Sequence, residues 1–461
     1  MSRKLMISGL LAGLLGVYSF TWHLVCIDTV RGSGAYGTDI EVDGSGYPHI
    51  IYKEIYDLGL MYVHWDGSKW IYEAVQESLG VKVKGTSGSI SLELDGLGYP
   101  HIGNTGGPAY IWKDSLGWHR EAGIDPGTHD IDWVSLRLDS KGYPHMAYND
   151  KYYDGVYDNY AVKYCYKDEV GWHVQLIASY SNTTANGGYG VSLVLDSLDL
   201  PHIIYSWGDY DPALTIGYAY KDTSGIWHKE YFDYDYTGYY WAHYPNVEID
   251  DSGRVVVVYG FGSADIDLRW GYRDSSGWHC EYVDTVGRPG QELGMFLKEG
   301  IWPYIVGETF GIGDSNWVYL HWQDSLGWHK ERVDYIGSTS QLQTSIGIVI
   351  DRYGYIHISY RRSLEGSDDD RMWYATTNGL IGVEEEFKKQ GIDVPSVVCG
   401  SVLRLRVPEG IERIRMYDIA GREVEWMSVD SERVFMDVSS LTSGVYFLRL
   451  SGRIYRVTII R

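Results

Sequence analysis

Trp22-His23-Leu24-Val25-Cys26-Ile27-Asp28-Thr29-Val30 aligns without a gap to Trp278-His279-Cys280-Glu281-Tyr282-Val283-Asp284-Thr285-Val286. The second copy belongs to a series of segments opened by Trp-His, four of them set four residues after a turn aspartate. Asp114 leads to Trp118, Asp168 to Trp172, Asp274 to Trp278 and Asp324 to Trp328. The last such unit ends differently. Its third segment, RMWYATTNG from Arg371, is followed by no Trp-His. The segment missing at one end of the chain is thus the one present at the other.

Working outward, a second anchor recurs once per unit: Asp, two residues, usually Gly, an aromatic or apolar residue, Pro, His. Copies begin at Asp43, Asp95, Asp139 and Asp196, with weaker ones at Asp250, Lys298 and Asp351. The spacings of 52, 44, 57, 54, 48 and 53 residues suit four short strands per unit. Strand a alternates, as in Ser91-Leu92-Glu93-Leu94; strand b is the PHIIY run; strand c is Tyr-rich; strand d opens at Trp-His. This predicts an all-β chain: a seven-bladed β-propeller in which the N-terminal strand completes the last blade and removes the open edges.

Composition fits that reading. There are 42 Tyr, 18 Trp and 56 Gly against 8 Phe, a mix suited to short strands and tight turns. Net charge is −23, and residues 383–461 contribute nothing to it, with 12 basic and 12 acidic side chains. An acidic body excludes nucleic acid as a partner class, because phosphate contacts need a basic footprint. Arg3 and Lys4 precede a short apolar run from Leu5 to Phe20, too short for a span, with Val17 and Ser19 placed as small residues before a cut. A secretory signal over residues 1–19 is expected, with an uncleaved anchor as the alternative. Cys26, Cys165, Cys280 and Cys399 form no close pair or ligand spacing, so neither a disulfide nor a metal site is expected.

The repeat also separates two faces. Asp to His across the a–b turn is six residues in the His-bearing units, whereas His to the c–d aspartate runs 17, 13, 23, 20, 18 and 20 in units one to six, with Val256 and Tyr304 standing for His in units five and six. Variable loops on a constant scaffold are where function concentrates. On the b–c/d–a face, units three and four carry the richest aromatic and acidic loops. Trp133, Trp207, Asp209, Tyr210, Tyr236, Tyr240 and Trp241 are the candidate ligand-binding residues there. Flat rings beside carboxylates suit sugars, and equally suit a protein partner.

Other residues have plainer readings. His49, His101, His145, His202 and His357 occur once per blade, too far apart to share an ion, and are expected to hydrogen-bond nearby turns. The same holds for the Trp-His histidines. Asp39, Glu41, Glu93, Arg137 and Glu248 border the channel at comparable repeat positions, so a glycosidase carboxylate pair is an alternative, although no motif singles out two of them. Asp368-Asp369-Asp370 reads as a solvated loop and Asn182-Thr183-Thr184 is a glycosylation pattern. No catalytic residue, metal or cofactor is assigned.

The turn Asp114-Ser115-Leu116-Gly117-Trp118 resembles the Asp-box of sialidase-like propellers, without the arginine triad or Tyr/Glu pair of a sialidase. The repeat is also similar to fucose-lectin-type propellers, which bind sugars between blades. Residues 379–396 read as a linker and residues 397–461 as a small β-sandwich. Within it YDIAGREV (417–424), LTSGVYFLRL (441–450) and VTIIR (457–461) resemble the C-terminal sorting domain of the type IX secretion system, with Val394-Pro395-Ser396 where an Asn-Pro-rich opening is usual. That resemblance implies passage across the outer membrane by this machinery. The expectation is a secreted or surface-attached, monomeric propeller over residues 20–378, binding a carbohydrate or surface partner without catalysis. An extracellular glycoside hydrolase and a structural or adhesive protein are the alternatives.

Overall fold

The structure is a computed structural model. It describes residues 20–27, 35–54, 59–80, 89–105, 107–153, 156, 158–182, 190–208, 214–235, 241–262, 266–310, 316–337, 346–363, 370–379, 397–399, 402–406, 413–418, 422–428, 433–442, 444–450 and 453–460. Among these, residues 20–379 form seven four-stranded antiparallel sheets, an all-β, propeller-like arrangement. The strands succeed one another as meanders. Unit three runs Val134–Leu138, Pro144–Tyr153, Asp158–Lys167 and Trp172–Asn182. The exception is the sheet of Gly347–Ile350, Ile356–Ser363 and Asp370–Thr376. Its fourth strand is His23–Cys26, antiparallel to Asp370–Thr376 with His23 opposite Thr376 and Cys26 opposite Trp373. Cys26, Cys165 and Cys280 thereby fall in three different sheets.

The recurring aspartates build the turns. Asp43 Oδ1 accepts from Ser45 N at 2.7 Å and Tyr47 N at 2.9 Å. Gly46 follows at φ 80, a left-handed conformation that spares glycine the Cβ clash. Asp95, Asp139, Asp196, Asp250 and Asp351 repeat the pair of bonds. In unit four Asp199 takes the glycine's place at φ 61.

The anchor histidines bond differently from expectation. The Nδ1 atoms of His49, His101 and His145 lie 2.5 Å from the hydroxyls of Tyr62, Tyr110 and Tyr164 on strand c. His202 and His357 sit 2.6 Å from Tyr218 and Tyr374. Their Nε2 atoms stand 3.4–3.9 Å from the turn aspartates, beyond a direct bond. Burial holds His101, His145 and His202 below the usual imidazole range, so each meets its tyrosine hydroxyl as a neutral ring. The Trp-His histidines do bond their turns: His119 to Asp114 and His173 to Asp168 at 2.9 Å. Tyr164→Phe is expected to cost about 1–2 kcal/mol, because it strands a buried imidazole nitrogen. A urea midpoint equal to wild type would refute this.

Two sets of bonds join neighbouring sheets. Near the axis, Asp39 Oδ2 accepts from Leu92 N at 2.8 Å, Ser91 Oγ from Leu136 N at 3.0 Å, Ser135 Oγ from Leu193 N at 3.1 Å and Ser192 Oγ from Val247 N at 3.3 Å. Asn246 Nδ2 donates to Leu293 O at 2.8 Å. The last two joints use glycine, where backbone replaces side chain: a Cβ on Gly294 would lie 2.8 Å from Ile346 O, and one on Gly347 3.1 Å from Ile40 N. At the rim, six strand-d indoles each donate to the sheet before their own. Trp118 reaches Glu73, Trp172 Glu121, Trp227 Gln175, Trp278 Glu230, Trp328 Glu281, and Trp22 Glu331, over 2.6–3.2 Å. Trp22 thus makes the rim contact its alignment with Trp278 implies.

One element was not anticipated. Val75–Leu79 forms a short helix ended by Gly80 at φ 64. The C-terminal residues form a five-stranded and a two-stranded sheet, burying Leu403, Ile414, Met416, Met436, Leu448 and Val457.

Candidate functional site

The innermost strands of the seven sheets are Ala35–Val42, Ile90–Leu94, Val134–Leu138, Val191–Leu195, Trp241–Ile249, Gln291–Lys298 and Gly347–Ile350. Each lies beside the next, and the last lies beside the first. They surround a cavity of about 350 Å³. Alternation along each strand aims every second residue at the axis, so the lining stacks in rungs. The rung two residues before the turn aspartates holds Glu41, Glu93, Arg137 and Glu248. The rung four residues before holds Asp39, Ser91, Ser135, Ser192 and Asn246. Asp39 therefore belongs to a different layer from the four residues with which sequence position had grouped it.

Arg137 organises the charged rung. Its Nη1 lies 3.1 Å from Glu93 Oε1 and its Nη2 3.4 Å from Glu248 Oε1. Burial raises the Glu93 carboxyl to about 7 despite Arg137, and raises Asp39 to about 6 despite its bonds to Leu92 N and Ile40 N. Burial, reinforced by Glu93 and Asp39, pushes Glu41 well above the carboxylate range, and burial also raises Glu248. Against the burial that opposes its charge, Glu93 and Glu248 keep the Arg137 guanidinium protonated. The rung thus holds an arginine bridging two acids, beside a Glu41 whose burial favours the neutral form.

The third rung, at the d–a end, carries Ser89, Trp133, Gly190, Tyr244 and Glu292. Trp133 is anchored by its backbone N–H, which donates to Asn149 Oδ1 at 2.7 Å, and its ring meets that of Tyr244 edge to face at 5.3 Å. Tyr244 and Glu292 have φ 49 and φ 47, uncommon for residues other than glycine. Both sit at register shifts, between His243 and Asn246 and between Gln291 and Gly294. A bulge re-aims a side chain, and strained backbone of this kind gathers at functional sites. At the same repeat position Gly37 and Gly190 have φ 55 and 124. Those glycines are the only sequence trace of the bulges, which is why Tyr244 and Glu292 were missed.

Of the expected site residues, Trp133 lines the cavity. Trp207 packs on Tyr231 and Tyr205, with centroids 5.6 and 5.8 Å away, against the same core cluster that supports Trp133. Trp241 opens the strand Trp241–Ile249 opposite Gly262, and its side chain lies outside the described residues. Asp209, Tyr210, Tyr236 and Tyr240 also lie outside them, as do Asp368, Asp369 and residues 1–19. Among the described residues no cluster of three or more His, Cys, Asp or Glu is arranged to hold a metal.

Residues 400–459 match the family described as "Secretion system C-terminal sorting domain". This is the type IX domain, and the chain is exported to the cell surface or released. No described helix is long and apolar enough to cross a membrane. No curated protein matches the chain. Among solved structures it is similar to the polysaccharide lyase Uly1, with 9% identity and a TM-score of 0.47 over 74% of this chain and 89% of that one. It is also similar to the α-L-arabinofuranosidase Arb93A from Fusarium graminearum, with 9% identity and 0.43 over 78% and 97%. The Aleuria aurantia lectin matches at 9% and 0.41 over 66% and 96%. At such values none of the three bears on substrate or activity.

Proposed function

We propose that this exported protein is a seven-bladed propeller, closed by its N-terminal strand, that binds the end or a side branch of a neutral glycan at the axial cavity without cleaving it. The reading takes residues 1–19 as a signal peptide, 20–378 as the propeller, 379–396 as linker and 397–461 as the sorting domain, in a monomer. The observation that carries it is the bulged mouth. Trp133 and Tyr244 offer two rings at an angle, with Glu292 beside them and Asn246 and the serine rung as polar partners beneath. Rings cover the C–H faces of a sugar, and carboxylates and hydroxyls accept from its hydroxyl groups. Five lining carboxylates against Arg137 disfavour sulfated or uronate chains. The arginine bridge between Glu93 and Glu248 supports binding over hydrolysis, since it occupies the groups a two-carboxylate mechanism would use.

A second reading keeps one specific support. Glu93 titrates near 7 and burial raises Glu41 as well, and a general acid must keep its proton at the working pH. A glycan array with wild type and Trp133→Ala separates the two. Binding without turnover, weakened tenfold or more in the variant (about 1.4 kcal/mol), is expected. No bound sugar on either protein would sink the glycan reading. Release of shorter chains, abolished by Glu93→Gln, would replace binding with hydrolysis.

A further inference from the structure

The rim contacts follow a pattern that departs at Gln175 for the acid and at Gln323 and Thr377 for the cation. The acid three residues after a strand-d tryptophan accepts the indole of the next unit, and in three joints it also takes a side-chain cation from that unit. Lys113 donates to Glu73 at 2.6 Å, Lys167 to Glu121 at 2.6 Å and Arg273 to Glu230 at 2.6 and 2.8 Å. These cations directly precede the c–d aspartates Asp114, Asp168 and Asp274. The register of His23 opposite Thr376, matched to His279 opposite Tyr272, puts Thr377 in the cation position of unit seven. In unit six that position is Gln323, and there the Trp328–Glu281 bond is exposed. Glu331 is different. It is part-buried, accepts from Trp22 Nε1 at 3.2 Å, and lacks a lysine or arginine at Thr377. In the cation's place stands the backbone nitrogen of Phe20, 2.9 Å from Oε1 and 3.0 Å from Oε2.

We infer that the Ser19–Phe20 bond is the leader-processing site and that the α-ammonium released on Phe20 is the cation Glu331 is built to bind. Hydrolysis adds water across that peptide bond. The oxygen goes to Ser19 as a carboxylate, the C–N bond breaks, and the nitrogen leaves as an ammonium on Phe20. An amide N–H has one proton to share between two carboxylate oxygens, whereas an ammonium has three and carries the charge. It is also protonated at neutral pH, its ordinary pKa being about 8. Val17 and Ser19 suit the small-residue positions of a leader cut. The Phe20 ring holds the new terminus in place, meeting Trp322 edge on at 5.2 Å and Trp22 at 5.8 Å. Processing thus completes the last inter-sheet joint: a chain with its leader attached has neither the charge nor a free end there.

Amino-terminal sequencing of the exported protein should read Phe20 first. The full chain is then prepared starting at Phe20 or retaining Ser19, each with Glu331 or with Glu331→Gln, which keeps an acceptor for Trp22. With Glu331, the Phe20 form should melt about 2 °C above the Ser19 form. With glutamine the two should melt together, below the Phe20 form with Glu331. A different mature terminus, equal melting of the two forms with Glu331, or a difference that survives in Glu331→Gln would each overturn the inference.

Discussion

Deletion of residues 20–27 should cost the protein its cooperative fold, the largest effect we expect from any small change. The segment supplies the outer strand of its sheet and buries Ile27 completely, with Ile27 N bonded to Met372 O at 2.9 Å. Ile27 packs with Ile40, Met372 and Tyr374, so it joins the last sheet to the first. Without it the strand Asp370–Thr376 becomes an open edge. Losing a buried isoleucine costs roughly 2–5 kcal/mol and a packed tryptophan about 3–5. Together they approach the ~5–15 kcal/mol that keeps a typical domain folded. Circular dichroism on heating should show one sharp transition for the intact chain, and aggregation or a broad transition at least about 10 °C lower for the deletion. An unchanged melt would remove the N-terminal strand from the fold's essential parts.

The second large effect concerns Arg137. Replacing it with Ala leaves Glu93 and Glu248 facing one another across the channel without the guanidinium between them. Stranding fully buried acids in this way costs about 3–5 kcal/mol. The Glu93 and Glu248 side chains are 20% and 30% exposed, so channel water trims this to roughly 1–3 kcal/mol. The loss depends on pH with a definite sign. Glu93 titrates near 7 in the folded chain against an ordinary 4.5, so the folded state holds its proton more tightly. Stability from this group is complete below about 4.5 and falls as pH rises toward 7. Removing Arg137 raises the folded value further and deepens that fall. Urea midpoints of Arg137→Ala should therefore approach wild type at pH 5 and lie well below it at pH 7.5. A deficit equal at both values would mean that Arg137 acts through packing alone.

Much of the scaffold could be read before any coordinates, because its turns are made by chemistry that leaves a mark. An aspartate capping two backbone N–H groups and a glycine at φ 80 recur at fixed spacing. Trp22-His23 could be assigned to the last sheet for the same reason. Residues whose role depends on direction were harder. Asp39 and Glu41 look equivalent in a list of strand acids, yet two residues of offset put them on different rungs. Trp133 and Trp207 carry the same side chain, but only Trp133 lines the cavity. Tyr244 and Glu292 point inward through bulges that non-glycine residues do not announce. The anchor histidines bond a tyrosine on strand c, a partner set by pairing between strands. Hydrophobic alternation alone also hid the helix Val75–Leu79.

Hydrogen exchange of the peptide covering residues 20–27 tests ring closure directly. If His23–Cys26 is the fourth strand of the last sheet, those of its amides that pair with Asp370–Thr376 should exchange as slowly as the paired amides of Gly277–Asp284, the outer strand of another sheet. Exchange within seconds, at the rate of an unstructured chain, would mean that the first strand does not close the ring, and the account built on that closure would fail with it.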